Sequence, residues 1–178
     1  LLASSAASDV YKRQSDVYEK KRDFPKAIEA YKNYLDEMKS SPDISDLFLY
    51  GRLNYYAATD SAYQDKQPTY LAEADTIFAQ VAVKVPDNYL GNFWRARVNS
   101  LRDPETTQGL AKPYYEAALS ILEQKPDATK SVLVECNSYL GYYYFVKEDY
   151  NQSKQYWNKI LEIDPENETA TKALGGIK

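Results

Sequence analysis

The chain has 178 residues, 44% hydrophobic and 27% charged, with a formal net charge of -4 and a pI near 5.0, the composition of one globular domain or a short repeat array. Its Lys and Arg are scattered, leaving no basic face for nucleic acid, and its apolar runs fall short of the roughly 20 residues that cross a bilayer. No histidine is present, which removes the commonest general base and every Ser-His or Cys-His arrangement; no catalytic, cofactor-binding or metal-ligating residue is assigned.

In chain order, the first segment is LLASSAASDVYKRQ. Back-translated codon by codon, Ser4 to Gln14 matches a transposase adapter used in sequencing libraries. Residues 1–14 are therefore set apart from the fold as non-native; the alternatives are the tail of a signal peptide and an ordinary helix start. On the adapter reading the native N-terminus, any targeting signal and any upstream domain lie outside this sequence. Residues 15–41 then form a truncated helix pair whose second helix, DFPKAIEAYKNYL, keeps Ala27, Tyr31 and Tyr34 on one face.

Residues 43–88 give a helix DLFLYGRLNYYAA with Tyr50-Gly51, a polar inserted loop over 58–68 containing Pro68, and a helix carrying Ala74, Phe78 and Val81 before Pro86. Residues 89–126 give NFWRARVNSLRD, with Trp94 and Leu101 but Val98 where the glycine stood, then GLAKPYYEAALSIL with Ala111, Tyr115 and Ala118. Pro113 falls in a first turn, where proline is tolerated, and Pro126 ends that helix. Residues 131–167 hold the clearest unit: Leu140-Gly141 and Tyr144, a KED break, Asp149 as N-cap, then Ser153, Trp157 and Ile160 before Pro165. Residues 168–178 begin one more helix with Leu174-Gly175. The single Cys136 lies within an apolar helical pattern and reads as a core residue. Eighteen tyrosines against five phenylalanines suit seams between helices, where the ring packs and the hydroxyl reaches a polar partner.

The unit at 131–167 resembles the tetratricopeptide repeat, with Leu140-Gly141, Tyr144, Ser153, Trp157, Ile160 and Pro165 in register and Asn137 where that family has an early tryptophan. The second-helix signature, spaced four then three, recurs at Ala27, Ala74 and Ala111. The resemblance implies an all-α fold: antiparallel helix pairs stacked as a solenoid, wound as a right-handed superhelix, with residues 168–178 as C-terminal capping helix. It also implies a non-enzymatic scaffold that binds a protein or peptide in a concave groove lined by first helices. The alternative is the C-terminal accessory region of an enzyme or secretion component, and self-association of an exposed end is a third reading. Carried over by register, the groove positions are Phe48, Arg52 and Tyr55; Arg95, Asn99 and Arg102; and Ser138, Tyr142 and Phe145. The plain alternative is that these side chains pack against neighbouring helices. The style resembles bacterial cell-envelope repeat proteins, and localisation stays open between envelope and cytoplasm.

Overall fold

The computed structural model describes residues 6–38, 40–125 and 127–177. Ser4, Ser5 and Pro126, each invoked above, lie outside them. Among the described residues there are α-helices and one 3-10 helix and no strand, and the chain divides into two compact units, Leu1–Val85 and Pro86–Lys178.

The first unit holds α1 (Ala6–Lys20), α2 (Phe24–Glu37), α3 (Ile44–Thr59) and α4 (Gln67–Lys84), with α1 against α2 and α3 against α4. Helix α1, Ala6–Lys20, runs through part of the segment set apart by the sequence reading. Ser8, Tyr11, Ser15 and Tyr18 recur at helical spacing along it; both serines are buried and both rings pack on the cluster of Ala27, Tyr31, Tyr34 and Leu53. Asp23 caps α2, and Asp43 with Asp46 closes a capping box on α3. Where a loop was expected over 58–68, α3 runs on to Thr59, Ser61–Lys66 forms a 3-10 helix capped by Asp60, and Pro68 sits in the first turn of α4. The physical reason lies in the two caps: Asp60 accepts from the Ala62 amide at 2.9 Å, and Gln67 Nε2 donates to the Ala58 carbonyl at 2.9 Å. Together they satisfy helix-end groups that a free loop would leave to water.

The second unit holds α5 (Leu90–Arg102), α6 (Lys112–Leu122), α7 (Lys130–Val146), α8 (Tyr150–Ile163) and α9 (Glu168–Gly176). Helices α5 and α6 pair, α7 and α8 pair, and α9 packs on α8. The Asp149 carboxylate accepts from the Gln152 amide at 3.1 Å, and Asn167 caps α9. Between α5 and α6 the buried Asp103 carboxylate accepts from the amides of Gln108, Gly109 and Leu110 at 3.0, 2.7 and 3.4 Å. Burial alone would raise its pKa; those amides and the Thr107 hydroxyl outweigh it and hold the carboxyl below its ordinary value. Gly109 has φ +71 and a Cβ there would run into the Tyr143 ring, so a side chain would be strained in both respects.

One crossing recurs in three of the four pairs, α1–α2, α3–α4 and α7–α8. A Cβ on Gly51 would lie 2.7 Å from the Phe78 ring, and one on Gly141 would lie 2.7 Å from Trp157; the bare backbone is what lets each ring in. In the first pair Ser15 takes the glycine's place, and its Oγ donates to the Ala27 carbonyl at 2.8 Å. In the last pair the serine stands on the opposite helix, where Ser153 Oγ donates to the Gly141 carbonyl, also at 2.8 Å. The turns match as well: Arg22 and Glu148 both adopt positive φ, and the amides of Asp23 and Asp149 donate to the carbonyls of Tyr18 and Tyr144, each at 2.9 Å.

The tyrosines line seams. Tyr31 stacks on Tyr50 across α2 and α3, and Tyr144 on Tyr156 across α7 and α8. Tyr34 Oη donates to Asp46 at 2.9 Å, and Tyr115 Oη to Glu135 at 3.1 Å, where Glu135 also forms a two-pronged pair with Arg97. Cys136 is fully buried, and that burial, then Glu135, push its thiol up to about 12. It is a core group, held as the unreactive thiol at neutral pH.

Candidate functional site

The groove positions fall on three helices, and the structure treats them differently. On α3, Phe48 packs edge-on to Phe78 at 5.9 Å, Arg52 reaches Glu19 on α1 at 3.5 Å and lies over Tyr56, and Tyr55 packs edge-on to Tyr56. On α5, Arg95 donates to Tyr114 Oη at 3.0 Å with its guanidinium 4.2 Å over that ring. Asn99 was expected to be exposed and is instead buried, at 6%. Its Nδ2 donates to the Arg95 carbonyl at 2.9 Å and its Oδ1 accepts from Arg102 at 3.4 Å, both on its own helix. Arg102 stays exposed.

Helix α7 is the exception. Ser138 is half-buried, whereas Tyr142 and Phe145 are each 42% exposed, unusual for rings of that size. They form one wall of a pocket of about 240 Å³; Trp157 lies at its floor, and α9 supplies Lys172, Ala173, Gly176 and Ile177. The wall is apolar apart from Lys172, whose ammonium pairs with Glu168 at 3.1 Å where both side chains are largely exposed. Such a pair is worth little and is readily exchanged for another carboxylate. Ile177 turns back from the end of α9 into the cluster of Trp157, Ile160 and Ala170, which fixes that wall.

The α9 residues were missed by the sequence reading although the signal was there. The groove register places residues three before, one after and four after the small residue of each first helix. Applied to Leu174-Gly175 it gives Lys172 and Gly176, both of which line the pocket.

The solved structure of the C-terminal part of a TPR repeat-containing protein from Cytophaga hutchinsonii superposes with a TM-score of 0.82 at 31% identity over 96% of this chain. The chain has the tetratricopeptide-repeat fold. It spans 61% of the length of that Cytophaga chain. Two structures of MamA, one a double mutant and one spanning residue 41 to the end from Desulfovibrio magneticus RS-1, match over 98% of this chain and 85% of theirs. Their TM-scores are 0.70 and 0.69 and their identities 17% and 18%, a likeness of fold alone. No protein-family model matches the chain, and no curated protein does. The repeats' first helices are thus α1, α3, α5, α7 and α9, and the pocket lies between two of them.

Proposed function

We propose that this chain is a non-enzymatic, bacterial protein-interaction scaffold whose repeats bind a partner polypeptide, with the pocket between α7 and α9 receiving the anchoring side chain. The observation that supports it most is the pair of exposed rings, Tyr142 and Phe145, over an apolar floor with one exchangeable cation, Lys172, at the edge. A bulky apolar residue of the ligand fills the pocket while a neighbouring carboxylate meets Lys172. The arginine stripe contributes less, because Arg95 is already stacked on Tyr114 and Asn99 is buried.

A peptide library selected on the immobilised chain tests this. The best peptide should lose about a hundredfold in affinity for Tyr142→Ala plus Phe145→Ala, roughly 2.7 kcal/mol, and less than about tenfold, roughly 1.4 kcal/mol, for Arg95→Glu plus Arg102→Glu. Unchanged affinity in the first variant would remove the pocket from the account. A second reading, that these repeats are the accessory region of a larger protein, is favoured by the Cytophaga match, itself described as the C-terminal part of its protein. The complete gene distinguishes the two.

A further inference from the structure

A second cavity, of about 290 Å³, opens in the unit Pro86–Lys178, away from the rings of Tyr142 and Phe145. Leu119 and Leu122 of α6, Leu133 and Asn137 of α7 and Ile163 of α8 form its walls, and the exposed Glu123–Lys159 ion pair, 3.0 Å, borders it.

Its origin is legible in the repeat register. Asn137 stands four residues before Gly141. The equivalent residues are Leu47, four before Gly51, which packs into the cluster of Ile77 and Val81, and Trp94, four before Val98, buried to 7%. At Asn137 a short polar side chain occupies the position that a large apolar one fills elsewhere in the same chain. Shortening a residue in a packed seam leaves space that the surrounding helices close only in part.

Asn137 is also chemically incomplete. It is 1% exposed, and its Nδ2 donates to the Leu133 carbonyl at 2.8 Å, which fixes the orientation of the amide. Its Oδ1 is buried and accepts no hydrogen bond from the described residues. A buried carbonyl without a donor costs about 1–3 kcal/mol, so a group that fills the space and brings one N–H recovers both terms. The lining also carries Glu123 and Glu162 together with Lys125 and Lys159, and Glu123 is already paired with Lys159, so a ligand ammonium would compete with lysines already present, whereas a neutral N–H donor would not.

We propose that this cavity receives the indole of a tryptophan presented by a partner polypeptide, its N–H donating to Asn137 Oδ1. The indole supplies in trans the ring that Trp94 supplies in cis one repeat earlier. An apolar cavity of roughly 150 Å³ already holds a benzene ring, so the space suffices. The site lies on different walls from the pocket between α7 and α9 and stands whether or not that pocket binds.

The test uses the full chain, isotope-labelled, titrated with N-acetyl-tryptophanamide and with its 1-methyl-indole analogue. The first should shift the resonances of Leu119, Leu122, Leu133 and Ile163, and the analogue, lacking the N–H, should bind at least tenfold more weakly. Asn137→Trp should fill the cavity and abolish the response. Asn137→Leu, which keeps the size and removes the acceptor, should bind both compounds equally and weakly, and it serves if the tryptophan variant does not fold. Equal affinities for the two compounds in the wild type, or no shift at those four residues up to millimolar ligand, overturn the proposal.

Discussion

Replacing Gly141 with valine is expected to destabilise the unit Pro86–Lys178 by about 3 kcal/mol, close to the upper end of what overpacking costs. Already for alanine two effects compete. A helix-interior glycine exchanged for alanine gains about 1 kcal/mol in propensity. Against that, the new Cβ would sit 2.7 Å from Trp157 Cε2 and 2.9 Å from Nε1, ring atoms fixed in the core against Ile160 and Ala170. Displacing the indole costs about 1–3 kcal/mol, so alanine comes out neutral to destabilising, and valine, with two more methyl groups in the same space, clearly so. Gly175 is the internal control. It occupies the same register on α9, but nothing lies within 4 Å of its would-be Cβ, and Gly175→Ala should be neutral or slightly stabilising. Urea midpoints of the three variants check the order. Equal effects at Gly141 and Gly175 would mean that the crossing is looser than described.

Asp103→Ala is expected to cost a similar amount, about 3 kcal/mol, since hydrogen bonds to a charged group each contribute about 1.5–3 kcal/mol and are only partly replaced by water. The carboxylate gathers three backbone amides of the α5–α6 connection, and without it Thr106 and Gly109 lose the reason for their positive φ. The pH dependence has a definite sign. The folded pKa is depressed, so the stabilisation is fully present above the unfolded value, about 3.9, and is lost as pH falls through that value towards the folded one. Between pH 6 and pH 3 the wild type should therefore lose more stability than Asp103→Asn, whose amide does not titrate. Parallel pH profiles for the two proteins would show that Asp103 is not the group responsible.

The fold was readable because a repeat writes its landmarks several times. Ala27, Ala74, Ala111 and Ser153 each precede a ring by four residues, and that spacing is set by helix geometry whatever the loops between them do. The parts that were not readable have local causes. The stretch 58–68 is polar and contains proline, yet the caps at Asp60 and Gln67 turn it into helix ends. Asn99 falls on a groove stripe by spacing, but a bond to a carbonyl one turn back buried it. Residues 1–14 were set apart on their match to an adapter, so the helical spacing of Ser8, Tyr11, Ser15 and Tyr18 went unread; there Ser15 performs the glycine's close approach and adds a hydrogen bond. The site was half visible: Tyr142 and Phe145 were named in advance, while the α9 wall required applying the register to the shortest of the α-helices.

The central claim is that a partner polypeptide binds between first helices of the repeats, at α7 and α9. Chemical-shift mapping of the labelled chain with the best selected peptide tests it most directly. The predicted result is a contiguous set of perturbed resonances at Tyr142, Phe145, Lys172, Ala173 and Gly176. Perturbations confined to the second helices α6 and α8, with those five residues silent at saturation, would contradict it.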